Sequence, residues 1–299
     1  MSITAQPGIT NVRPMQIGEI LDGTFNIYRR HFGLFMRLSL LLICVPAVLF
    51  VFFMVRFATN PIAAANWFQE HLVNVILMGL VGVLVYTTIS LLLKAGTIRI
   101  ISDSYLGQEP TLSSALQLGM GRIIPLLVVA ISKTLLVIVI YLAAILAGVL
   151  LVGIGKALGA AIAVLLGIAY GVGAIWFMAW VLCGYGLTSM VVVLEDLDSS
   201  FDAFGRSWEL TRAARMKVFL TCLVIFLFTA LLPWIVVAVV GQLLGPASPL
   251  QPFLSILSVA MGVVLAPILP CALTLLYYDS RVRREAFDLQ ILSQQLGAR

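Results

Sequence analysis

The sequence has little charge. Only 10% of its 299 residues are Asp, Glu, Lys or Arg, against about a quarter in an ordinary soluble domain. Histidine is scarcer still, with His31 and His71 alone. The topology argued below sets these two on opposite sides of a membrane, which excludes a His-rich metal site or a shared histidine-based triad. The four cysteines, Cys44, Cys183, Cys222 and Cys271, form no CxxC pair and lie in apolar runs, so they read as small packing residues. No HExxH, P-loop or GxSxG turn occurs. The segment "GIGKALG" at 153–159 has neither the spacing nor the preceding strand of a nucleotide loop. Its GxxxG pair, like "GIAYG" at 167–171, suits close helix packing instead. A secretory signal peptide is also missing, because the first apolar run starts too late and runs too long.

What the chain has in excess is apolar sequence: 62% hydrophobic residues and a mean hydropathy of +1.11. The runs are continuous and long. A membrane-spanning helix needs about 20 such residues, whereas barrel strands would read as short alternating segments. Six spans are predicted, at roughly 38–55, 72–93, 123–152, 157–182, 218–240 and 254–278.

The basic residues are distributed unevenly between the loops. Arg13, Arg29, Arg30, Arg37, Lys94, Arg99, Arg122, Arg206, Arg212, Arg215, Lys217, Arg281, Arg283, Arg284 and Arg299 fall on one side. Only Arg56 and Lys156 fall on the other, and Lys133 lies within a span. The positive-inside rule places the crowded side, and with it both termini, in the cytoplasm. The net charge of +5 is therefore a topology signal and a source of affinity for anionic lipid. It does not point to nucleic acid.

A repeat underlies the spans. Before each odd-numbered span stands a short amphipathic segment. In "GEILDGTFNIYRRHFGLFMR", Ile17, Ile20, Leu21, Thr24 and Tyr28 share one face, opposite Glu19, Asp22, Asn26 and Arg30. In "PTLSSALQLGMGR" the face is Leu112, Ala115, Leu116 and Gly119; in "SSFDAFGRSWELTRAARMK" it is Phe201, Phe204, Trp208 and Thr211. Each even-numbered span runs on to an acid, Asp103, Glu195 or Asp279, spaced 92 and 84 positions apart. The expected fold is all-α: a polytopic membrane protein of six transmembrane helices arranged as three hairpins, each preceded by a cytoplasmic amphipathic interfacial helix. Residues 13–290 form one membrane domain with repeat units at about 13–107, 108–198 and 199–290, between a flexible tail at 1–12 and a cytoplasmic tail at 291–299. The outer turns are short: "GIGK" at 153–156 and "GQLLGPASPLQP" at 241–252, with "RFATNPIAAANWFQEH" supplying Trp67 and Phe68 at the interface.

Three motifs, "RPMQIGEILDGTFNIYRRHFG", "FGRSWELTRAARMKVF" and "YYDSRVRREAFDLQ", together resemble a family of bacterial integral membrane proteins. It is the family related to the membrane domain of glycerophosphoryl diester phosphodiesterase. The resemblance covers about Arg13 to Gln290. It implies a bacterial cytoplasmic membrane location and a stand-alone membrane region. Only some twenty residues follow Asp279, far short of the roughly 200 that a barrel-type catalytic domain requires, so phosphodiesterase activity is not expected. The family supplies no active-site residues to carry over.

Candidate functional residues are correspondingly few. Lys133, about 15 Å into its span, is an intramembrane polar site by default, or else it snorkels to the interface. Asn74, Thr87, Thr88, Ser90 and Tyr141 are the polar groups available to it. The acids Glu195, Asp196, Asp198 and Asp202 could hold a hard cation. The plainer reading has Ser199 or Ser200 capping a helix, the acids favouring its N-terminal end, and Arg206, Arg212 and Arg215 neutralising them. No metal or cofactor is assigned. Arg29, Arg30, Arg122, Arg206, Arg212, Arg215, Lys217, Arg281, Arg283 and Arg284 are candidate contacts to lipid headgroups or a partner protein, and Trp67, Trp208 and Trp234 are candidate interfacial anchors. Prolines Pro46, Pro125, Pro233, Pro267 and Pro270 lie in spans, and the pair Pro267 and Pro270 marks the expected broken helix. Two functions stay open: a non-catalytic membrane protein that binds anionic lipids or a protein partner, or a small transporter or lipid translocator using Lys133.

Overall fold

The computed structural model describes residues 14–40, 67, 70–245 and 251–285. Among these, every regular element is helical. In chain order the helices are α1 (Ile17–Arg30), α2 (Leu72–Tyr105), α3 (Leu112–Gly121), α4 (Ile123–Leu158), α5 (Ala160–Gly184) and α6 (Thr188–Leu194). There follow α7 (Asp202–Thr211), α8 (Arg215–Phe226), α9 (Leu232–Leu244), α10 (Gln251–Leu265) and α11 (Ile268–Glu285). Residues 32–40 are helical too. A π-helical turn, Leu227–Leu231, joins α8 to α9 just before Pro233. Proline lacks the N–H that an α-helix needs at that point, and the wider turn accommodates the loss.

Five stretches are long and apolar enough to cross a membrane: Leu72–Tyr105, Ile123–Leu158, Ala160–Leu194, Arg215–Leu244 and Ala260–Glu285. They match five of the six expected spans. The expected first span lies almost wholly outside the described residues, as do Cys44, Pro46, the N-terminal tail and the C-terminal tail. The apolar side chains of these helices point outward. Leu80, Val83, Leu135, Val139, Leu146, Leu165 and Ile175 are all more than half exposed. A surface of that kind is stable in hydrocarbon and not in water. The chain is therefore a helical membrane protein.

Some boundaries differ from expectation. The turn between α4 and α5 is not at 153–156, which is helical, but at Gly159, whose φ of 129° only glycine adopts readily. Close packing at the end of α4 explains why the helix runs on: Gly155 lies against the Ala163 backbone, and Gly148 lies under the Tyr170 ring. Tyr170 secures the pair by donating to the Ala144 carbonyl at 2.6 Å. The last span is broken as expected, at Ala266–Pro267 between α10 and α11.

The fold divides into two compact units. In the unit comprising residues 22–123 and 225–272, α3 folds back on α2, and Ala95, Ile98, Ile101, Ala115 and Gly119 are buried. Here Leu38 fills the space left by Gly96. The Tyr28 hydroxyl donates to the Val264 carbonyl at 2.6 Å. In the unit comprising residues 12–21, 124–224 and 273–299, α7 packs on α5 and α6. Its buried residues include Met190, Val191, Ala203, Leu210, Leu276 and Tyr277.

Candidate functional site

The second unit contains the richest polar chemistry, and it starts from an interruption in a membrane helix. Between α5 and α6, residues Tyr185–Leu187 leave the α-helical path, so the carbonyls ending α5 lose their usual donors. Lys133 of α4 donates its ammonium to the Tyr185 carbonyl at 2.7 Å, and the Thr188 hydroxyl donates to the same oxygen at 2.8 Å. A cation at the negative end of a helix is favourable on two counts, hydrogen bonding and the helix dipole. The partner of Lys133 is thus a backbone carbonyl, not one of the side chains considered from sequence. The half-buried ammonium does not stand alone.

The Gly184 carbonyl is satisfied from α7, receiving the hydroxyls of Ser207 at 2.9 Å and Thr211 at 3.1 Å. These bonds set the rotation of α7. Its buried residues are Ala203, Ser207, Leu210 and Thr211, while Phe201, on the aromatic face, is 60% exposed. Small residues win the inner face because they let the helix approach the break closely. Ser199 does organise the start of α7, but reciprocally: the Asp202 carboxylate accepts from the Ser199 N–H at 3.0 Å, and the Ser199 hydroxyl accepts from the Phe201 N–H at 3.3 Å.

Trp208 lies over Gly184, where any β-carbon would collide with its ring. It meets Trp180 edge-on, with centroids 4.8 Å apart and planes at 88°, and it packs on Tyr185 at 5.2 Å. Phe204 adds an edge contact to Tyr185 at 5.5 Å. The Arg215 guanidinium occupies the corner between the two indoles, 3.8 Å from the Trp180 centroid and 3.9 Å from that of Trp208. Beside this corner opens a cavity of about 690 Å³, lined by Trp180, Trp208, Arg212, Ala213, Arg215 and Met216. Trp208 is accordingly a half-buried wall of this cavity as much as an interfacial anchor. Trp234, in contrast, is 68% exposed, and Trp67 stacks on His71 at 5.2 Å.

Residues from each of the three motifs, Met15 alone from the first, meet in the same unit as an ion-pair lattice. Asp279, with no exposed side-chain surface, accepts from the Met15 N–H at 2.7 Å, from Lys217 at 2.5 Å and from Arg283 at 3.1 Å. The Met15 carbonyl in turn accepts from Lys217 at 2.6 Å and from Arg283 at 2.8 Å. A second set closes into a ring. Glu195 accepts from Arg206 at 3.0 Å and from the Tyr277 hydroxyl at 2.8 Å; Arg206 also pairs with Glu285. Arg281 bonds Glu285 at 2.9 Å and Tyr277 at 3.3 Å. Partial burial opposes the charge on Arg206, but the bonds to Glu195 and Glu285 outweigh it and hold its pKa above the ordinary arginine value.

Two of the four acids, Glu195 and Asp202, are held by protein donors. Both oxygens of Glu195 are engaged by protein donors and Asp202 caps α7, so the carboxylates do not converge. Among the described residues no three metal-ligating side chains meet. Of the expected neutralising arginines, Arg206 alone reaches Glu195, while Arg215 turns to the tryptophans and Arg212 to the cavity. Arg206, Lys217, Arg281 and Arg283, four of the candidate headgroup contacts, bind protein carboxylates. Arg29, Arg30, Arg212 and Arg284 are exposed, and Arg122 forms the C-cap of α3.

The first unit repeats part of this arrangement. Asp103 at the end of α2 pairs with Arg99 at 3.0 Å and bonds Ser114 of α3, eleven residues on. Glu195 likewise meets Arg206, eleven residues on, in α7. Gly119 lies on the Leu92 carbonyl, and Thr211 binds the Gly184 carbonyl. Both pairs of contacts correspond at an offset of 92 residues. His31 donates to or accepts from the Ser104 hydroxyl at 3.0 Å in this unit.

Fold and site together define a polytopic helical membrane protein whose polar chemistry gathers where short helices meet the ends of long apolar ones. Residues 34–280 match the family model described as Domain of unknown function (DUF7847), and the chain belongs to that family. No curated protein and no solved structure matches it. The family match carries no link to the phosphodiesterase membrane region, which stands on the three motifs alone.

Proposed function

We propose that this protein is a non-catalytic integral membrane protein that recognises anionic lipid headgroups along its cytoplasmic face. In this reading it has six spans in three hairpin repeats, resides in a bacterial inner membrane and keeps both termini in the cytoplasm. The observation that carries the proposal is the division among its arginines. Those in the lattice bind carboxylates. Arg29 and Arg30 at the end of α1, Arg212 after α7 and Arg284 at the end of α11 are exposed and have no acidic partner among the described residues. Exposed cations at the ends of amphipathic helices are well placed to meet anionic headgroups. A protein partner with an acidic surface is the competing occupant. The contact of Lys133 with the Tyr185 carbonyl favours a helix-capping role over a translocation site.

The test is the lipid that stays with the protein after mild extraction. Enrichment of phosphatidylglycerol or cardiolipin over phosphatidylethanolamine, relative to the bulk membrane, is the expected result. A retained lipid profile equal to the bulk would overturn the proposal, and stoichiometric copurification of an acidic protein would replace it.

A further inference from the structure

We infer that the cavity between Trp180, Trp208, Arg212 and Arg215 is a specific binding site for the phosphate of an anionic glycerophospholipid. The inference deepens the lipid-binding reading above and rests on it. Arg215 sits in the corner between two indoles, 3.8 Å and 3.9 Å from their centroids, and its buried Nε has no hydrogen-bond partner among the described residues. Arg212 lines the same cavity, and no carboxylate does. The contrast within the unit is direct: Arg206, Arg281 and Arg283 each bond an acid, while Arg212 and Arg215 face an open space together. Two neighbouring guanidinium groups without a counter-ion repel each other, and an oxyanion between them removes the repulsion while accepting charge-assisted hydrogen bonds.

The walls are also built to keep that geometry. Because Gly184 has no side chain, Trp208 seats directly on α5, and Trp180 meets it at 88° to form the corner that Arg215 occupies. A guanidinium fixed in orientation loses little freedom on binding a phosphate. The volume of about 690 Å³ accommodates a headgroup.

The surroundings select a lipid over a soluble anion. Met216 in the lining is 59% exposed, and Trp176 and Phe177, one turn before Trp180 on α5, are 60% and 52% exposed. Phe177 stacks on Trp180 with centroids 6.3 Å apart. A cationic cavity thus continues into apolar helix surface, the pattern an amphiphile requires.

Full-length protein in detergent, titrated with dihexanoyl phosphatidylglycerol and read by native mass spectrometry and tryptophan fluorescence, tests the site. Saturable binding is expected, about tenfold weaker or more in Arg215→Gln and in Arg212→Gln, which each remove a charged donor. Arg215→Lys should fall between, since it keeps the charge and loses the flat fork. Trp234→Phe should bind as wild type. Arg212 is exposed, so its variant preserves the test if Arg215→Gln fails to fold. Wild-type binding in both glutamine variants overturns the site, while preferential retention of anionic lipid on extraction would leave the broader reading standing. Inorganic phosphate binding with the same arginine dependence, and displacing the lipid, overturns the assignment to lipid. Equal binding of dihexanoyl phosphatidylcholine overturns both.

Discussion

Asp279 shows what a single buried charge does in this protein. With Lys217, Arg283 and the Met15 N–H all directed at it, the carboxylate is fully compensated in a site without water exposure. Removing it leaves two cations and an N–H facing each other. Asp279→Ala is expected to destabilise the protein by about 3–5 kcal/mol, the range for breaking one partner out of a buried pair. The paired variant Asp279→Leu with Lys217→Met should recover much of that loss, and thermal unfolding in detergent measures both. Lys133 belongs to the same class of argument but has a backbone acceptor. Lys133→Leu is expected to cost about 1.5–3 kcal/mol and to speed hydrogen exchange at Thr188, while leaving lipid retention unchanged. His31 carries a pH dependence. Burial first, then the nearby Arg30, lowers its pKa from the ordinary 6.5. The folded state therefore prefers neutral imidazole. Stability should be level above pH 6.5 and fall as pH drops below it toward the lowered folded value. His31→Gln should flatten that part of a melting-temperature profile.

At the scale of elements, much was legible in the sequence and the remainder was hidden for definable reasons. Apolar length and the acid at each span end placed α2, α5–α6 and α11, because both are properties of side chains. The break at Ala266–Pro267 was legible from proline alone. The partners of Lys133, Ser207 and Thr211 were not, because they are two backbone carbonyls, those of Tyr185 and Gly184, at the interruption after α5. No residue type announces a free carbonyl. The hydroxyls of Ser207 and Thr211 turn toward the Gly184 carbonyl for the same hidden reason. Arg215 was misassigned to the acids because charge proximity along a chain says nothing of two indoles converging from different helices. These elements depend on Gly184. Gly184→Ala is expected to displace Trp208, cost about 1–3 kcal/mol from overpacking and alter the near-ultraviolet circular dichroism of the tryptophan pair. An unchanged spectrum would mean that α7 does not seat on the glycine. Pro267→Ala should restore an N–H donor to the break between α10 and α11, and slowed amide exchange over residues 266–269 is the expected readout.

For the whole molecule, the membrane orientation follows from charge placement and is open to direct test. Fifteen of the 18 basic residues fall on one side of the expected spans, which the positive-inside rule places in the cytoplasm. Within each unit an acid bonds the helix that follows it, Asp103 to Ser114 of α3 and Glu195 to Arg206 of α7. If the acid ends of α2, α6 and α11 all face the cytoplasm, residues of α7 must label from that side and the α4–α5 turn from the other. With Cys44, Cys183, Cys222 and Cys271 replaced by serine or alanine, Arg212→Cys should react with a membrane-impermeant maleimide only after the cells are permeabilised. Lys156→Cys, exposed near the end of α4, should react in intact spheroplasts. Arg30→Cys and His71→Cys extend the same comparison across the expected first span, where opposite accessibility is predicted. Labelling of both members of either pair from one side would remove a span from that part of the chain and, with it, the even count that brings both termini to the cytoplasm.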